Sequence, residues 1–132
     1  MKISSTLLGE IVAHALADPR NEVCGVVARS DDGAAVKVFR AENVHHSPMK
    51  FEIAPKELLE LNDACEELGE LGAIYHSHVR SAPYPSQTDI NFAAGWPGVE
   101  WIIVGLVAGA EPDVRSYLIE GAEVREVPVE DG

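Results

Sequence analysis

The stretch 71–89, "LGAIYHSHVRSAPYPSQTD", constrains the fold of this chain more than any other. Its first part, 71–78, is apolar up to two histidines and predicts a buried strand. Pro83 and Pro85 then require a loop. The segment 86–89 begins with Ser and has Asp three residues later, which is the pattern of a helix cap. A strand, a short loop and a helix in this order predict a domain of the α/β class.

Hydrophobic patterns elsewhere extend this prediction to a single domain with a mixed sheet. Helices are expected at 4–17, from Pro55 to about Gly69 and at 86–95. Further strands are expected at 22–28, 34–43, 100–108, 114–120 and 123–129. A turn at 31–33 and a short extended piece at 51–53 join them. Because no repeat or linker interrupts the pattern, one domain over 1–129 is predicted, with a frayed tail at 130–132.

Composition excludes several classes of function. The chain carries 22 acidic and 10 basic residues, a net charge of −12, without a basic cluster. Binding to phosphate backbones or anionic membranes depends on Lys and Arg, so we expect neither nucleic acid nor membrane as a partner. The longest apolar stretch, "VEWIIVGLVAGA", is far shorter than the roughly 20 residues of a membrane helix.

The N-terminal segment does not read as a signal peptide, because Glu10 and Asp18 interrupt its apolar pattern. We therefore expect a cytoplasmic protein. The two cysteines, Cys24 and Cys65, have no CxxC partner and are expected to be small buried thiols rather than a disulfide.

The two histidines at the end of the strand point to metal chemistry. Side chains alternate along a strand, so His76 and His78 face the same way and form a platform for a metal ion. Asp89, in the helix that follows, can add an oxygen ligand. Two neutral imidazoles and one carboxylate leave Zn²⁺ with an open position, which is typical of catalytic zinc sites. The alternative is a helix cap formed by Ser86 and Asp89 beside solvated histidines.

The segment "HSHVRSAPYPSQTD" also has the form HxH, seven residues, Ser, two residues, Asp, and "NEVCGVV" supplies a glutamate upstream. This pattern resembles the signature of the JAMM (JAB1/MPN/Mov34, MPN+) zinc metalloproteases. The resemblance covers nearly the whole chain. It implies the JAB1/MPN, cytidine-deaminase-like fold: a largely antiparallel, curved mixed sheet flanked by about three helices.

Carried onto this sequence, the resemblance implies one Zn²⁺ per chain, held by His76, His78 and Asp89. It implies that Glu22 acts as general base toward water and then as acid toward the leaving amine. Ser86 would donate a hydrogen bond to the oxyanion. Many members have Pro after the second histidine, where this chain has Val79; that difference concerns the loop rather than the chemistry.

The short chain resembles the compact bacterial and archaeal members of the family. "YPSQTD" and "VRSYLIEGAEVREVPV" are most similar to members that release cysteine from the C-terminal Gly-Gly of a ubiquitin-like sulfur-carrier protein. The resemblance therefore implies such a carrier as partner and a role in cysteine biosynthesis. An isopeptidase acting on lysine conjugates and a non-catalytic MPN scaffold are the alternatives, and a homodimer stays open.

Two other zinc hydrolase classes are disfavoured by motif. A nucleoside deaminase needs HxE and PCxxC, and this chain has neither. The HExxH motif of other metalloproteases is absent as well.

Six other residues receive structural expectations. His14 is expected on the surface of the first helix rather than as a ligand. His45 and His46 are expected in a loop, with a substrate contact as the alternative. Asn43 is expected to form a turn, with orientation of the substrate as the alternative. Tyr84 could contact a peptide or pack the loop, and the sequence does not decide between them. Cys24 shares a strand face with Glu22 and could line the site, but a packed core thiol is the better expectation.

Overall fold

A computed structural model describes residues 1–107 and 110–132 of the chain. Its helices are α1 (Ser5–Ala17), α2 (Pro55–Glu66) and α3 (Gln87–Ala93). Its strands are β1 (Cys24–Arg29), β2 (Ala35–Ala41), β3 (Glu70–His78), β4 (Glu100–Gly105), β5 (Asp113–Glu120) and β6 (Glu123–Val127). The predicted α/β domain with a mixed sheet is confirmed.

The helix ends follow from local chemistry. Ser4 caps α1, its hydroxyl accepting a hydrogen bond from the Leu7 amide at 3.2 Å. Pro55 occupies the first turn of α2, where its missing N–H costs nothing. The prediction that α2 continues to Gly69 was wrong by three residues. Gly69 adopts φ +145°, and a Cβ there would lie 2.2 Å from the Arg29 carbonyl oxygen, so only glycine fits this turn.

The strands form one six-stranded sheet in the order β2-β1-β3-β4-β5-β6. Every neighbouring pair is antiparallel except β3 and β4, which are parallel. A parallel pair needs a crossover, and α3 lies in that connection. The loop that leaves β3 therefore begins beside the carboxyl end of β4, where sites commonly form in α/β folds.

The two faces of the sheet pack against different helices. One face carries Ile11 and Ala15 of α1 against Tyr75 of β3. The opposite face carries Cys65 of α2 and Ala93 of α3 in a second cluster. Because side chains alternate along β3, His76 and His78 lie on the α2 and α3 face.

Strand bounds differ from the predictions mainly at the ends. The first strand begins at Cys24 rather than Glu22, because the preceding amides bond elsewhere: Glu22 N–H donates to Ser47 O at 2.8 Å, and Val23 N–H to the Ser77 hydroxyl at 2.9 Å. The fourth strand ends at Gly105, and the predicted end at residue 108 lies outside the described residues.

The tail beyond β6 returns to the N-terminal segment. Glu130 N–H donates to Met1 O at 3.0 Å, and Ile3 N–H donates to Glu130 O at 2.8 Å. The predicted domain limits stay a prediction. Within 1–107 and 110–132, α1, the longest helix at 13 residues, falls well short of the length and continuous apolar character that crossing a bilayer requires.

Candidate metal and active site

Two buried imidazoles lie side by side at the carboxyl end of β3. His76 is fully buried and His78 is 4% exposed. Their Nε2 atoms lie 3.0 Å apart, as the alternation of side chains predicts. The ring of Phe51 stacks on His76 with centroids 4.4 Å apart and fixes its orientation. The sequence reasoning assigned Phe51 only to an extended piece, and no pattern in the sequence signals this contact.

The first turn of α3 brings Asp89 to the same point. The capping box is present: the Ser86 hydroxyl accepts from the Asp89 amide at 3.2 Å, and Asp89 Oδ2 accepts from the Ser86 amide at 2.9 Å. The same Oδ2 lies 3.1 Å from His76 Nε2 and 3.3 Å from His78 Nε2. The helix cap and the histidine cluster are therefore one structure, because the cap aims the carboxylate at the strand.

The spacing of these three atoms fits a zinc ion. In a tetrahedral site with bonds of about 2.0–2.1 Å, neighbouring ligand atoms lie roughly 3.3–3.4 Å apart. The separations between His76 Nε2, His78 Nε2 and Asp89 Oδ2 are 3.0, 3.1 and 3.3 Å. Two imidazole nitrogens and one carboxylate oxygen are also ligand types that Zn²⁺ prefers.

A hydrogen bond at Nδ1 fixes the tautomer of His78 and so supports a role as metal ligand. In the described part of the chain, no such bond fixes the tautomer of His76. His78 Nδ1 lies 2.9 Å from Ala82 O, to which it donates, so in neutral His78 the Nε2 lone pair faces the cluster. His76 Nδ1 is buried without a hydrogen-bond partner in the described part of the chain. A protonated Nδ1 on His76 leaves Nε2 as the acceptor, and its orientation depends on the Phe51 ring instead.

Glu22 lies opposite the histidines, just before β1. Its carboxylate and the histidine nitrogens lie within 4.8 Å of one another. Two overlapping triads therefore exist, one with Glu22 and one with Asp89 beside His76 and His78. The Asp89 oxygen is within 3.3 Å of both nitrogens, so the Asp89 triad has the spacing of a coordination shell. For the Glu22 triad the limit on the separations is 4.8 Å, which is wider than the spacing of the Asp89 triad.

Burial and neighbours set the pKa values of these groups. Burial raises the pKa of Glu22 to about 7, with Asp89 raising it further and His78 opposing the shift. Burial also acts to raise the pKa of Asp89, but His76, His78 and the Ser86 amide outweigh it and hold that pKa well below its usual range. Asp89 is thus a carboxylate that accepts hydrogen bonds.

The two histidines respond differently to the same surroundings. Complete burial lowers the pKa of His76 and favours its neutral form, the form that binds metals. Burial also acts to lower the pKa of His78, but hydrogen bonds to Asp89 and Ala82 reverse the direction and raise it.

A cleft opens from this cluster to solvent. It has a volume of about 130 Å³ and is lined by Glu22, Pro48, Met49, His78, Arg80, Ser81 and Ser86, and is called the Glu22–Arg80 cleft below. The Ser86 hydroxyl accepts the Asp89 amide with a lone pair, so its O–H is free to donate into the cleft.

The cysteine predictions are confirmed, and the prediction for His14 is not. Cys24 and Cys65 are buried free thiols in the core on the α2 and α3 face. Burial raises the pKa of Cys24 to about 12, which keeps it an uncharged core thiol. His14 is half-buried rather than on the surface of α1, since its Nδ1 lies 2.6 Å from the Tyr75 hydroxyl.

The remaining residues with structural expectations lie outside the helices and strands. His45 and His46 lie in a loop as predicted; His45 pairs with Glu52 at 2.8 Å, and His46 has a positive φ of 45°. Tyr84 is 55% exposed and packs edge-on against Tyr117. Asn43 does more than form a turn: it is buried and bonds to the Glu22 carbonyl at 3.0 Å.

The sequence carries no signal for the place of Arg80 in the cleft or for the burial of Asn43. An arginine in a loop and an asparagine after a strand are common surface features, so neither carries a signal in one sequence. Their positions depend on the pairing of β1 with β3, which brings segments distant in the chain together.

Comparisons with known proteins support the resemblance. Residues 4–120 match a family model described as prokaryotic homologues of the JAB domain. The chain is 32% identical over 129 residues to the CysO-cysteine peptidase of Mycobacterium tuberculosis, covering 96% of this chain and 88% of that protein. It is 33% identical over 138 residues to the desampylase of Haloferax volcanii, covering 98% and 94%.

A solved structure has the same fold. A protein of Desulfitobacterium hafniense superimposes with a TM-score of 0.82 at 27% identity, covering 99% of this chain and 92% of that one. The matches cover most of the length of each of these proteins, so the similarity concerns the whole domain and not a local motif.

Proposed function

The chain belongs to the family of prokaryotic homologues of the JAB domain, and from this premise we propose that it is a zinc-dependent hydrolase of ubiquitin-like conjugates. In the proposed reaction it cleaves the amide bond after the C-terminal Gly-Gly of a ubiquitin-like sulfur carrier and releases cysteine. The observation that carries this proposal is the convergence of His76, His78 and Asp89, within 3.3 Å of one another, opposite Glu22.

In this proposal one Zn²⁺ is held by His76 Nε2, His78 Nε2 and Asp89 Oδ2. Such an ion acts as a Lewis acid toward the amide carbonyl and makes a water molecule more acidic. Both effects are what hydrolysis of an unactivated amide needs.

The chain's own residues handle protons and charge. Glu22 takes a proton from the attacking water and passes it to the leaving amine; its pKa of about 7 suits both steps near neutral pH. The Ser86 hydroxyl donates a hydrogen bond to the carbonyl oxygen as negative charge develops there. His78 keeps its Nε2 lone pair on the cluster because its Nδ1 is held by Ala82 O.

The choice of leaving group separates two versions of this function. The relative from Mycobacterium tuberculosis is named for a cysteine adduct, whereas the relative from Haloferax volcanii is named a desampylase. We favour the cysteine adduct and keep lysine isopeptides of a ubiquitin-like modifier as the second candidate. A cytoplasmic reaction is part of the proposal and fits the two free thiols, Cys24 and Cys65.

The test is hydrolysis by purified, unchelated protein of two substrates built on one carrier, a Gly-Gly–cysteine adduct and a Gly-Gly–lysine isopeptide. Metal analysis of the same sample accompanies it. We expect about one zinc per chain and faster release of cysteine than of lysine. Absence of zinc together with absence of hydrolysis would indicate a scaffold and overturn the proposal. Faster cleavage of the isopeptide would support the second candidate.

A further inference from the structure

The Glu22–Arg80 cleft contains a cation that the proposed reaction does not use. Arg80 lies two residues after His78 and lines the cleft together with Glu22 and Ser86. It forms no ion pair with any residue in 1–107 or 110–132, whereas Arg29 and Arg115 are both paired with acids. The guanidinium of Arg80 is therefore available to a ligand in the cleft.

The loop that carries Arg80 is held at several points. His78 Nδ1 bonds to Ala82 O at 2.9 Å, and the Tyr117 hydroxyl donates to Pro83 O. Pro83 packs directly on Gly105 of β4, where a Cβ would lie 2.8 Å from the proline ring. A cation on a loop held in this way can bind a ligand group with defined geometry.

Glu22 also borders a second cleft, which offers no cation of this kind. That cleft, of about 160 Å³, is lined by His14, Ala17, Asp18, Asn21, Glu22, Val23, Ala41, Asn43 and His46. Its charged lining residues are the acids Asp18 and Glu22, and Arg40 acts on His14 from nearby without lining the cleft. Of these two clefts, as the described residues form them, the Glu22–Arg80 cleft is the one with an arginine in its lining, where a substrate carboxylate can meet a guanidinium.

We propose that Arg80 binds a free carboxylate on the leaving group, and that this contact selects amino-acid adducts over lysine isopeptides. This inference rests on the proposed function. Glu22, which passes a proton to the leaving amine, lines the same cleft as Arg80. In an amino-acid adduct the carboxylate is one carbon from that amine, so both groups fit one cleft. Guanidinium and carboxylate also match in geometry.

A lysine isopeptide lacks the feature that Arg80 binds. Its leaving nitrogen is the side-chain amine, and the carboxyl group of the same lysine is an uncharged amide of the protein backbone. The cleft also provides an apolar wall at Pro48 and Met49, and Met49 is 74% exposed. A small side chain such as that of cysteine can pack there.

The test uses two substrates that differ only at this carboxyl: a carrier–cysteine adduct with a free carboxylate and the same adduct as a carboxamide. We expect the wild type to prefer the carboxylate roughly tenfold in kcat/KM, the size of a charge-assisted hydrogen bond at a solvent-accessible site. Arg80→Gln should bring the ratio close to one. In Arg80→Gln the carboxylate substrate should lose its advantage through a higher KM and not through a lower kcat, because Arg80 binds the carboxylate equally in the ground state and in the transition state.

Two variants control the experiment. Arg80→Lys keeps the charge without the planar guanidinium and should retain part of the preference. Arg125→Gln removes an exposed arginine from β6 at the other edge of the sheet and should retain the wild-type ratio.

The outcomes separate the inference from the function on which it rests. Equal hydrolysis of both substrates by the wild type, or an unchanged ratio in Arg80→Gln, would overturn the role of Arg80 and leave the proposed function standing. Failure of the wild type to hydrolyse either substrate would overturn the proposed function and the inference with it.

Discussion

The side-chain amide of Asn43 donates a hydrogen bond of 3.0 Å to the backbone carbonyl of Glu22. The same nitrogen donates to Lys50 O at 3.0 Å, and Oδ1 accepts from the amides of His45 and Glu52 at 3.1 and 3.2 Å. One buried side chain thus ties the segment that carries Glu22 to the loop that follows β2. The position of the proposed general base depends on this tie.

Asn43→Ala removes all four of these hydrogen bonds and leaves buried backbone groups without partners. We expect a loss of roughly 2–4 kcal/mol in the free energy of unfolding, at about 1 kcal/mol for each bond. Turnover should fall as well, because the backbone of Glu22 then keeps its bond to Ser47 O but loses its bond to Asn43. Urea denaturation and an assay of adduct hydrolysis measure the two effects. Asn62→Ala is the matched control, since the Asn62 side chain bonds to the exposed Glu66 side chain. An unchanged urea midpoint in Asn43→Ala would contradict this role.

Glu22→Gln keeps the size of the side chain and removes its ability to accept a proton. We expect turnover to fall by about 10²–10⁴-fold, the usual contribution of a general base. Zinc content should stay near that of the wild type, since the Asp89 triad is intact. Metal analysis and steady-state kinetics test both statements. Glu60→Gln, at an exposed position of α2, is the control and should retain full activity. A fully active Glu22→Gln would show that another group is the base.

Asp89→Asn separates the helix cap from the metal site. An asparagine oxygen can still accept the Ser86 amide, so we expect α3 to stay capped. The metal-free protein should nevertheless lose stability, because the neutral side chain gives up the interactions with His76 and His78 that hold the pKa of Asp89 low. The lost charge should weaken zinc binding by at least about tenfold, because a neutral amide is a poor zinc ligand. Calorimetric zinc titration and thermal unfolding in chelator provide the measurements.

The control for this experiment is Asp63→Asn on the exposed side of α2. It removes the same charge from the chain without touching the cluster, and zinc affinity should stay at the wild-type value. Equal zinc affinity in Asp89→Asn and the wild type would restrict Asp89 to capping.

The contact between His14 and Tyr75 should make stability depend on pH. Burial, followed by the charge of Arg40, lowers the pKa of His14 from 6.5 to about 4, while burial raises that of Tyr75. Tyr75 therefore donates to a neutral His14. Below pH 6.5, His14 binds a proton in the unfolded chain but not in the folded chain. The contribution of neutral His14 to the free energy of unfolding is therefore complete above pH 6.5 and is lost as pH falls toward 4.

For a half-buried group we expect this effect to be about 1 kcal/mol, after allowance for screening by solvent. Urea midpoints between pH 4 and 7 for the wild type and His14→Gln measure it, because glutamine does not titrate. His45→Gln is the control, since His45 lies in an exposed pair with Glu52. Parallel pH profiles for the wild type and His14→Gln would rule out this contribution.

Local patterns predicted the parts of the fold that depend on neighbours in sequence. The alternation along 71–78 predicted a strand with two histidines on one face, and Ser86 with Asp89 predicted a capped helix. Pro55 marked the start of α2. These predictions are reliable because each depends on residues close together in the chain. Side-chain alternation, helix capping and the fixed φ of proline all determine structure within a few residues.

Glu22 could not be assigned by such patterns. A glutamate before a strand has no distinctive surroundings in the sequence, and only the family resemblance linked it to the histidines. Its place opposite His76 depends on the antiparallel pairing of β1 with β3, in which Cys24 faces His76. A pairing between distant segments leaves no local signature.

The sequence by itself therefore determined the α/β class, the order of the elements and the pairing of His76 with His78, since all three follow from local sterics and side-chain periodicity. Tertiary structure decided that Asn43 holds Glu22, that His14 bonds to Tyr75 and that Arg80 lines the cleft beside Glu22 and Ser86. Each of these contacts joins elements far apart in the chain, so it exists only after the sheet has paired and its faces have packed.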